Sequence, residues 1–227
     1  MGDILILPGD IGYLNHETYT TNEFWDWASD NFEKVLVVPG NHEFYSGYDL
    51  KFMNDGLVIP IRSNIDLYYN KSVMIGDVEF ILTTLWSKIS PDAARSIERN
   101  ISDFRYIRCN DRVLTAADFN ELHNQCNTFL KRTLSTKKSG KRIVVSHHVP
   151  TFKCMSDEFM GSILNGAFVS ELADLIISSD IDYWIYGHSH RNLGEVVVGQ
   201  TKLISNQLGY VLASEHKTFD FSCTIII

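Results

Sequence analysis

A chain of 227 residues, 44% apolar and 21% charged, is long enough for one sizeable core and has the balance of a soluble globular protein. No apolar run approaches the ~20 residues that span a bilayer. Met1 to Leu7 lacks the basic and long apolar segments of a secretory signal, and a net charge of -8 argues against tight nonspecific nucleic-acid binding. The four cysteines, Cys109, Cys126, Cys154 and Cys223, show no CxxC spacing, so free thiols and a reducing, cytoplasmic setting are expected.

The first apolar run, Ile4-Leu5-Ile6-Leu7, reads as a buried strand stopped by Pro8-Gly9, with Asp10 just past its end. Residues Thr18 to Phe32 carry aromatic positions at helical spacing, with Thr21 or Asn22 as a cap. Val35 to Val38 is a second β-branched strand, stopped by Pro39-Gly40 and followed by Asn41-His42-Glu43. Strand, helix, strand with buried-type strands predicts a right-handed parallel unit, whose loops open at one carboxyl edge. Asp10 and Asn41 are therefore expected at neighbouring strand ends.

In the middle of the chain, Leu67 to Tyr69, Val73 to Ile75 and Val78 to Leu85 read as strands, with Gly76-Asp77 as a two-residue hairpin turn. Pro91 opens a helix to about Asn100. Thr115 and Asp118 form a capping box that starts a helix to about Leu134, whose apolar stripe is core packing. The first pattern then returns. Ile143-Val144-Val145 ends at Ser146-His147-His148, Phe168 to Ile177 is expected to be helical, and Tyr183 to Tyr186 ends at Gly187-His188-Ser189-His190. The tail, with Glu195 to Val198, Lys202 to Ser205 and Phe219 to Ile227, is expected to be strand-rich. The whole predicts a single domain over residues 1–227, two sheets face to face with helices outside.

Five of the eight histidines, His42, His147, His148, His188 and His190, fall just past predicted strands. On an extended chain alternate residues face one way, so His188 and His190 can serve one point. With Asp10 and Asn41 on the same edge, the donors are oxygen and nitrogen without thiolate, a set suited to Mn, Fe, Zn, Co or Ni. Such ions turn water into hydroxide near neutral pH, and a pair of them clamps a phosphoryl group.

The ordered motifs Gly9-Asp10, Gly40-Asn41-His42-Glu43, Ser146-His147 and Gly187-His188-Ser189-His190 resemble the calcineurin-like metallophosphoesterases. Thr84-Leu85-Trp86, Asp103-Phe104-Arg105, Ser205-Asn206 and Gly209-Tyr210 extend the likeness over nearly the whole chain. The resemblance implies a four-layer α/β/β/α sandwich and hydrolysis of a phosphomonoester or phosphodiester by metal-activated hydroxide, on a small phosphorylated substrate. It implies that Asp10 bridges two metals, that Asn41, His147 and His188 complete one site, and that His190 belongs to the other. His42 is implied as general acid or transition-state stabiliser, oriented by Asp10. His148 is implied to support the ligands or face the substrate. Tyr45, Trp86, Phe104 and Arg105 are candidates for the substrate cleft, with Arg105 able to hold a phosphate oxygen.

One family element is missing. The family begins with a strand ending in Asp-x-His, and no Asp-x-His occurs in this sequence. The expectation is one full metal site and a second left with Asp10 and His190, and an open sheet edge at Ile4 to Leu7. The alternative function is that of a single-metal or non-catalytic relative that binds rather than hydrolyses.

Overall fold

The computed structural model describes residues 2–227. β1 (Ile4–Leu7) leads through a single turn, α1 (Thr18–Thr21), and α2 (Glu23–Asn31) to β2 (Lys34–Val37). The expected helix over Thr18 to Phe32 is thus split at Asn22, which leaves helical geometry and caps α2 by accepting the Phe24 N–H. β3 (Leu57–Arg62) and β4 (Ile65–Tyr69) follow, and the first sheet runs in the order β1-β2-β4-β3. β1, β2 and β4 are parallel, and β3 is antiparallel to β4.

β5 (Lys71–Ile75) and β6 (Val78–Thr83) make the expected hairpin over Gly76-Asp77. α3 (Pro91–Asn100) and α4 (Asp103–Tyr106) precede a two-residue ribbon, β7 (Arg108–Cys109) and β8 (Arg112–Val113). α5 (Ala116–Leu134) starts at the Thr115/Asp118 capping box. β9 (Lys141–Ser146), α6 (Ala173–Ser178), β10 (Tyr183–Ile185), β11 (Val196–Val198) and β12 (Thr201–Ile204) complete the second sheet in the order β11-β12-β10-β9-β6-β5. β6, β9, β10 and β12 run parallel in it.

The period-2 alternation of the strands separates three apolar layers. Leu36, Val38, Tyr68, Phe80, Leu82, Ile143 and Val145 point between the sheets. Val35, Val37, Ile65 and Leu67 point outward against Trp25 and Ala28 of α2. Ile81, Val144, Trp184 and Leu203 point the other way, against Phe129 and Leu130 of α5 and Ile176 of α6. This is the α/β/β/α sandwich expected from the sequence.

Two expected elements are different. Phe168 to Leu172 is not helical, because the Phe168 carbonyl and the Ser170 N–H pair with the backbone of Val149. The Glu171 carboxylate then accepts from Ala173 N–H and Thr151 Oγ1, and the helix starts only at Ala173. Phe219 to Ile227 joins no sheet. Asp220 bonds instead with Asn206 and Ser222, and Ile225 reaches the inter-sheet core while Phe221 and Ile226 are exposed. β1 is an edge strand, half-buried along its length.

Candidate metal centre

The parallel registers decide which loops meet. Leu7 pairs with Val37 in the first sheet, and Val145 with Ile185 in the second, so four loops leave the two sheets at one edge. They carry Asp10, Asn41-His42-Glu43, His147-His148 and His188-Ser189-His190. The approach is close enough to require glycine twice. A Cβ on Gly9 would fall 2.5 Å from His147 Nδ1 and from Gly40 N, and one on Gly40 would fall 2.2 Å from Asp10 Oδ1. Asp10, His188 and His190 themselves hold left-handed backbone, with φ of 60°, 71° and 53°.

The ring of His147 is almost fully buried, and its Nδ1–H donates to the Pro8 carbonyl at 2.7 Å. That bond leaves a lone pair on Nε2. The lone pair faces Asn41 Oδ1 at 3.0 Å, His188 Nδ1 at 3.0 Å and Asp10 Oδ1 at 3.5 Å. His188 is fixed in the complementary sense, since its Nε2–H donates to the Ala167 carbonyl at 3.2 Å and Nδ1 keeps its lone pair. Asn41 is oriented by Asp103: its Nδ2 donates to Asp103 Oδ1 at 2.7 Å, which turns Oδ1 toward the histidines. Burial holds both His147 and His188 below the ordinary imidazole range, so they are neutral. Four electron-rich atoms therefore point at one spot with no proton to share. A cation satisfies that arrangement, and neutral imidazoles with one oxygen carboxylate and one amide suit a borderline divalent ion. Asp10, His147 and His188 place their donor atoms within 4.8 Å of one another, the three-residue group among those described that could hold a metal ion.

The sequence motifs do not reveal what holds these ligands. Glu43, fully buried, accepts the backbone N–H groups of Asp10, Ile11 and Gly40 at 2.8, 2.7 and 2.6 Å. It locks the Asp10 loop to the Asn41 loop, and burial, with the nearby Asp10 charge, raises its carboxyl against those donors. Asp103, buried and raised by burial, also accepts Tyr45 Oη–H at 2.6 Å, while its second oxygen has no partner. Tyr45 stacks on His42 with centroids 4.4 Å apart. His42 donates its backbone N–H to Asp10 Oδ1 at 3.0 Å, and its ring Nε2 lies 4.0 Å from Asp10 Oδ2.

His190 lines the same cleft as Asp10 but stands apart from the three-donor cluster. Its Nδ1 is bonded to Glu215 Oε2 at 2.9 Å. Four of the residues considered for the cleft lie elsewhere. His148 is completely buried, packed on Trp86, Phe119 and His188, with its Nδ1 on the Thr84 carbonyl; it backs the ring of His188 and does not face the cleft. Arg105 is exposed and bonds the Arg99 carbonyl, because one residue of helical turn carries it away from the inward-facing Asp103 and Phe104. Trp86 and Phe104 are core residues, whereas Tyr45 does line the cleft.

The cleft has a volume of about 390 Å³. Its lining also includes the apolar side chains of Ile101, Met155, Phe159, Leu164 and Phe168, the last stacked on the His188 ring at 4.7 Å. Arg191 is the one Lys or Arg among its described lining residues, and it is engaged by Glu158 at 2.6 Å and Glu215 at 3.3 Å.

The chain is 30% identical over 230 residues to Uncharacterized protein L509 of Acanthamoeba polyphaga mimivirus, covering 91% of this chain and 78% of that protein. Its fold is similar to the crystal structure of Phosphopantetheinyl Hydrolase (PptH) from Mycobacterium tuberculosis, with a TM-score of 0.67 at 16% identity, over 96% of this chain and 83% of that one. Residues 1–192 match the family described as calcineurin-like phosphoesterase, and the chain belongs to that family.

Proposed function

We propose that the protein is a metal-dependent phosphohydrolase that acts on a small phosphate ester, with residues 1–227 as one functional unit. The observation that carries the reading is the convergence of Asn41 Oδ1, His147 Nε2, His188 Nδ1 and Asp10 Oδ1, each held with its lone pair inward. Asn41, His147 and His188 would hold one ion, Asp10 would be shared, and His190 would serve a second. A divalent ion of the Mn, Fe, Zn, Co or Ni class supplies Lewis acidity to a phosphoryl oxygen and lowers the pKa of a water.

The chain's own residues do the rest. In hydrolysis the water oxygen would bond to phosphorus as the ester P–O bond breaks; His42 would give its proton to the leaving oxygen and would be restored by the proton that the attacking water releases. Stacking on Tyr45 and the Asp10 carboxylate hold that ring at the cleft. The apolar wall and the absence of an unpaired cation among the lining residues favour an ester with an uncharged body over a polyanion such as nucleic acid. Free cysteines, three of them buried, fit a cytoplasmic setting, and no helix is long and apolar enough to cross a membrane.

The test is hydrolysis of p-nitrophenyl phosphate and bis(p-nitrophenyl) phosphate by protein stripped and then loaded with Mn, Co or Ni. Turnover that needs the ion and is lost in His188→Ala supports the reading, and no turnover on either ester with ion bound sinks it. A second reading, a single-metal binding protein, is favoured by the one three-donor cluster found among the described residues. Elemental analysis separates the two: two ions per chain contradict it.

A further inference from the structure

The two nitrogens of the His190 ring have different surroundings. Nδ1 is bonded to Glu215, whereas Nε2 makes no hydrogen bond among the described residues and is left to the cleft. Glu215 is 25 residues further on, in the irregular segment that follows β12. Its contact with His190 is not a loose surface pair. The carboxylate is mostly shielded, and besides His190 Nδ1 it accepts the Tyr210 N–H at 2.7 Å and Arg191 Nη1–H at 3.3 Å. Burial works against the charge, but these donors outweigh it and hold the carboxyl below its usual range.

The segment is built around that contact. Gly209 has a φ of +62°, and a Cβ there would fall 2.6 Å from Glu215 Cβ, so the turn closes only on glycine. The Tyr210 ring meets the His190 ring edge-on at 4.8 Å. From the other side, Gln207 Oε1 accepts the His190 N–H at 2.8 Å, and Gln207 Nε2 donates to Ser189 Oγ and the Arg191 carbonyl. Backbone, ring face and Nδ1 of His190 are each restrained by residues 207–215.

A ligating imidazole needs one nitrogen free of hydrogen, and which one is free is decided by the bond the other makes. We propose that Glu215 is the positioning residue of the second half-site: by accepting Nδ1–H it fixes the tautomer with the lone pair on Nε2 and holds His190 toward a divalent transition ion beside Asp10. This deepens the metal reading above and rests on it.

The test begins on metal-free protein labelled with 15N-histidine at pH 8, where long-range 1H–15N spectra distinguish the two tautomers and His190→Gln assigns the signal. His190 is expected as Nδ1–H in the wild type and in Glu215→Gln, whose amide oxygen can still accept. Glu215→Ala is expected to lose that tautomer, whereas Leu212→Ser, fully exposed on the same turn, keeps it. Calorimetric titration with Co or Mn should then show the second equivalent weakened about 10–100-fold in Glu215→Ala. The first equivalent, assigned by its loss in His188→Ala, stays unchanged and reports that the variant is folded. An Nε2–H wild type, or a Glu215→Ala protein with the wild-type tautomer and second equivalent, overturns the proposal. A wild type that binds only one ion overturns it while leaving the first half-site standing. Failure to bind any ion overturns both readings.

Discussion

His188 and His190 are two residues apart and are held by opposite means. His188 is half-buried and anchored to a backbone carbonyl, with the fully buried His148 ring behind it. His190 sits at the rim, is partly exposed, and is anchored to a charged side chain from a segment without regular structure. The inner half is held by backbone carbonyls, Pro8 for His147 and Ala167 for His188. The outer half depends on a single carboxylate that one substitution removes. The halves should therefore fail differently, and that difference can be tested.

The largest effect is expected at the inner half. His188→Ala removes a proposed ligand and should lower kcat/KM by about a thousandfold or more, some 4 kcal/mol, with ion lost from the purified protein. If His190→Ala costs as much ion as His188→Ala, the contrast between the halves is wrong. His42→Ala should lower kcat by roughly 10²–10⁴-fold while elemental analysis finds the ion content unchanged. Asp103→Ala comes next. It releases the Asn41 amide and leaves the Tyr45 hydroxyl without its partner, so ion affinity should fall about 10–100-fold and stability by about 1–3 kcal/mol, read by titration and urea unfolding.

The smallest effect follows from protonation. Burial places His148 in the folded state well below its ordinary 6.5, so as pH falls the unfolded chain takes up protons first. Stability is intact above about pH 6.5 and falls below it, by up to about 1.4 kcal/mol per pH unit for each such histidine. His147 and His188 shift in the same direction and add to the slope. Replacing the non-ligand by an apolar ring, His148→Phe, should flatten the dependence of Tm on pH between 6.5 and 4.5. An unchanged slope would mean that His148 takes up its proton in the folded state.

The sequence made three of the four strand exits readable because they end in a residue type that strands exclude, Pro8-Gly9, Pro39-Gly40 or Gly187, followed by a donor; the fourth, at Ser146-His147, was marked by its histidines alone. It did not reveal the residues that aim those donors. Asp103 reaches Asn41 across 62 residues, and Glu215 reaches His190 across 25, from stretches without any period. Arg105 carried the chemically attractive charge of its motif, yet the helical turn of α4 gives the inward position to Asp103. The isoleucine-rich tail had the composition of a strand, but a strand also needs a ladder partner, and residues 219–227 pair with none. Local preference was legible, whereas contacts between distant loops were not.

The left-handed backbone of Asp10, His188 and His190 has a consequence for how the protein can change. Eight non-glycine residues among those described hold positive φ, and three of them are proposed ligands. Each costs on the order of 1–2 kcal/mol relative to ordinary backbone. Glycine at any of the three would relieve that strain and remove a ligand in the same step. Selection on thermal tolerance alone would thus erode the centre first, at the positions where a gain in stability is easiest to obtain. Aspartate and histidine stand at these three positions in this chain, where glycine would be the less strained residue.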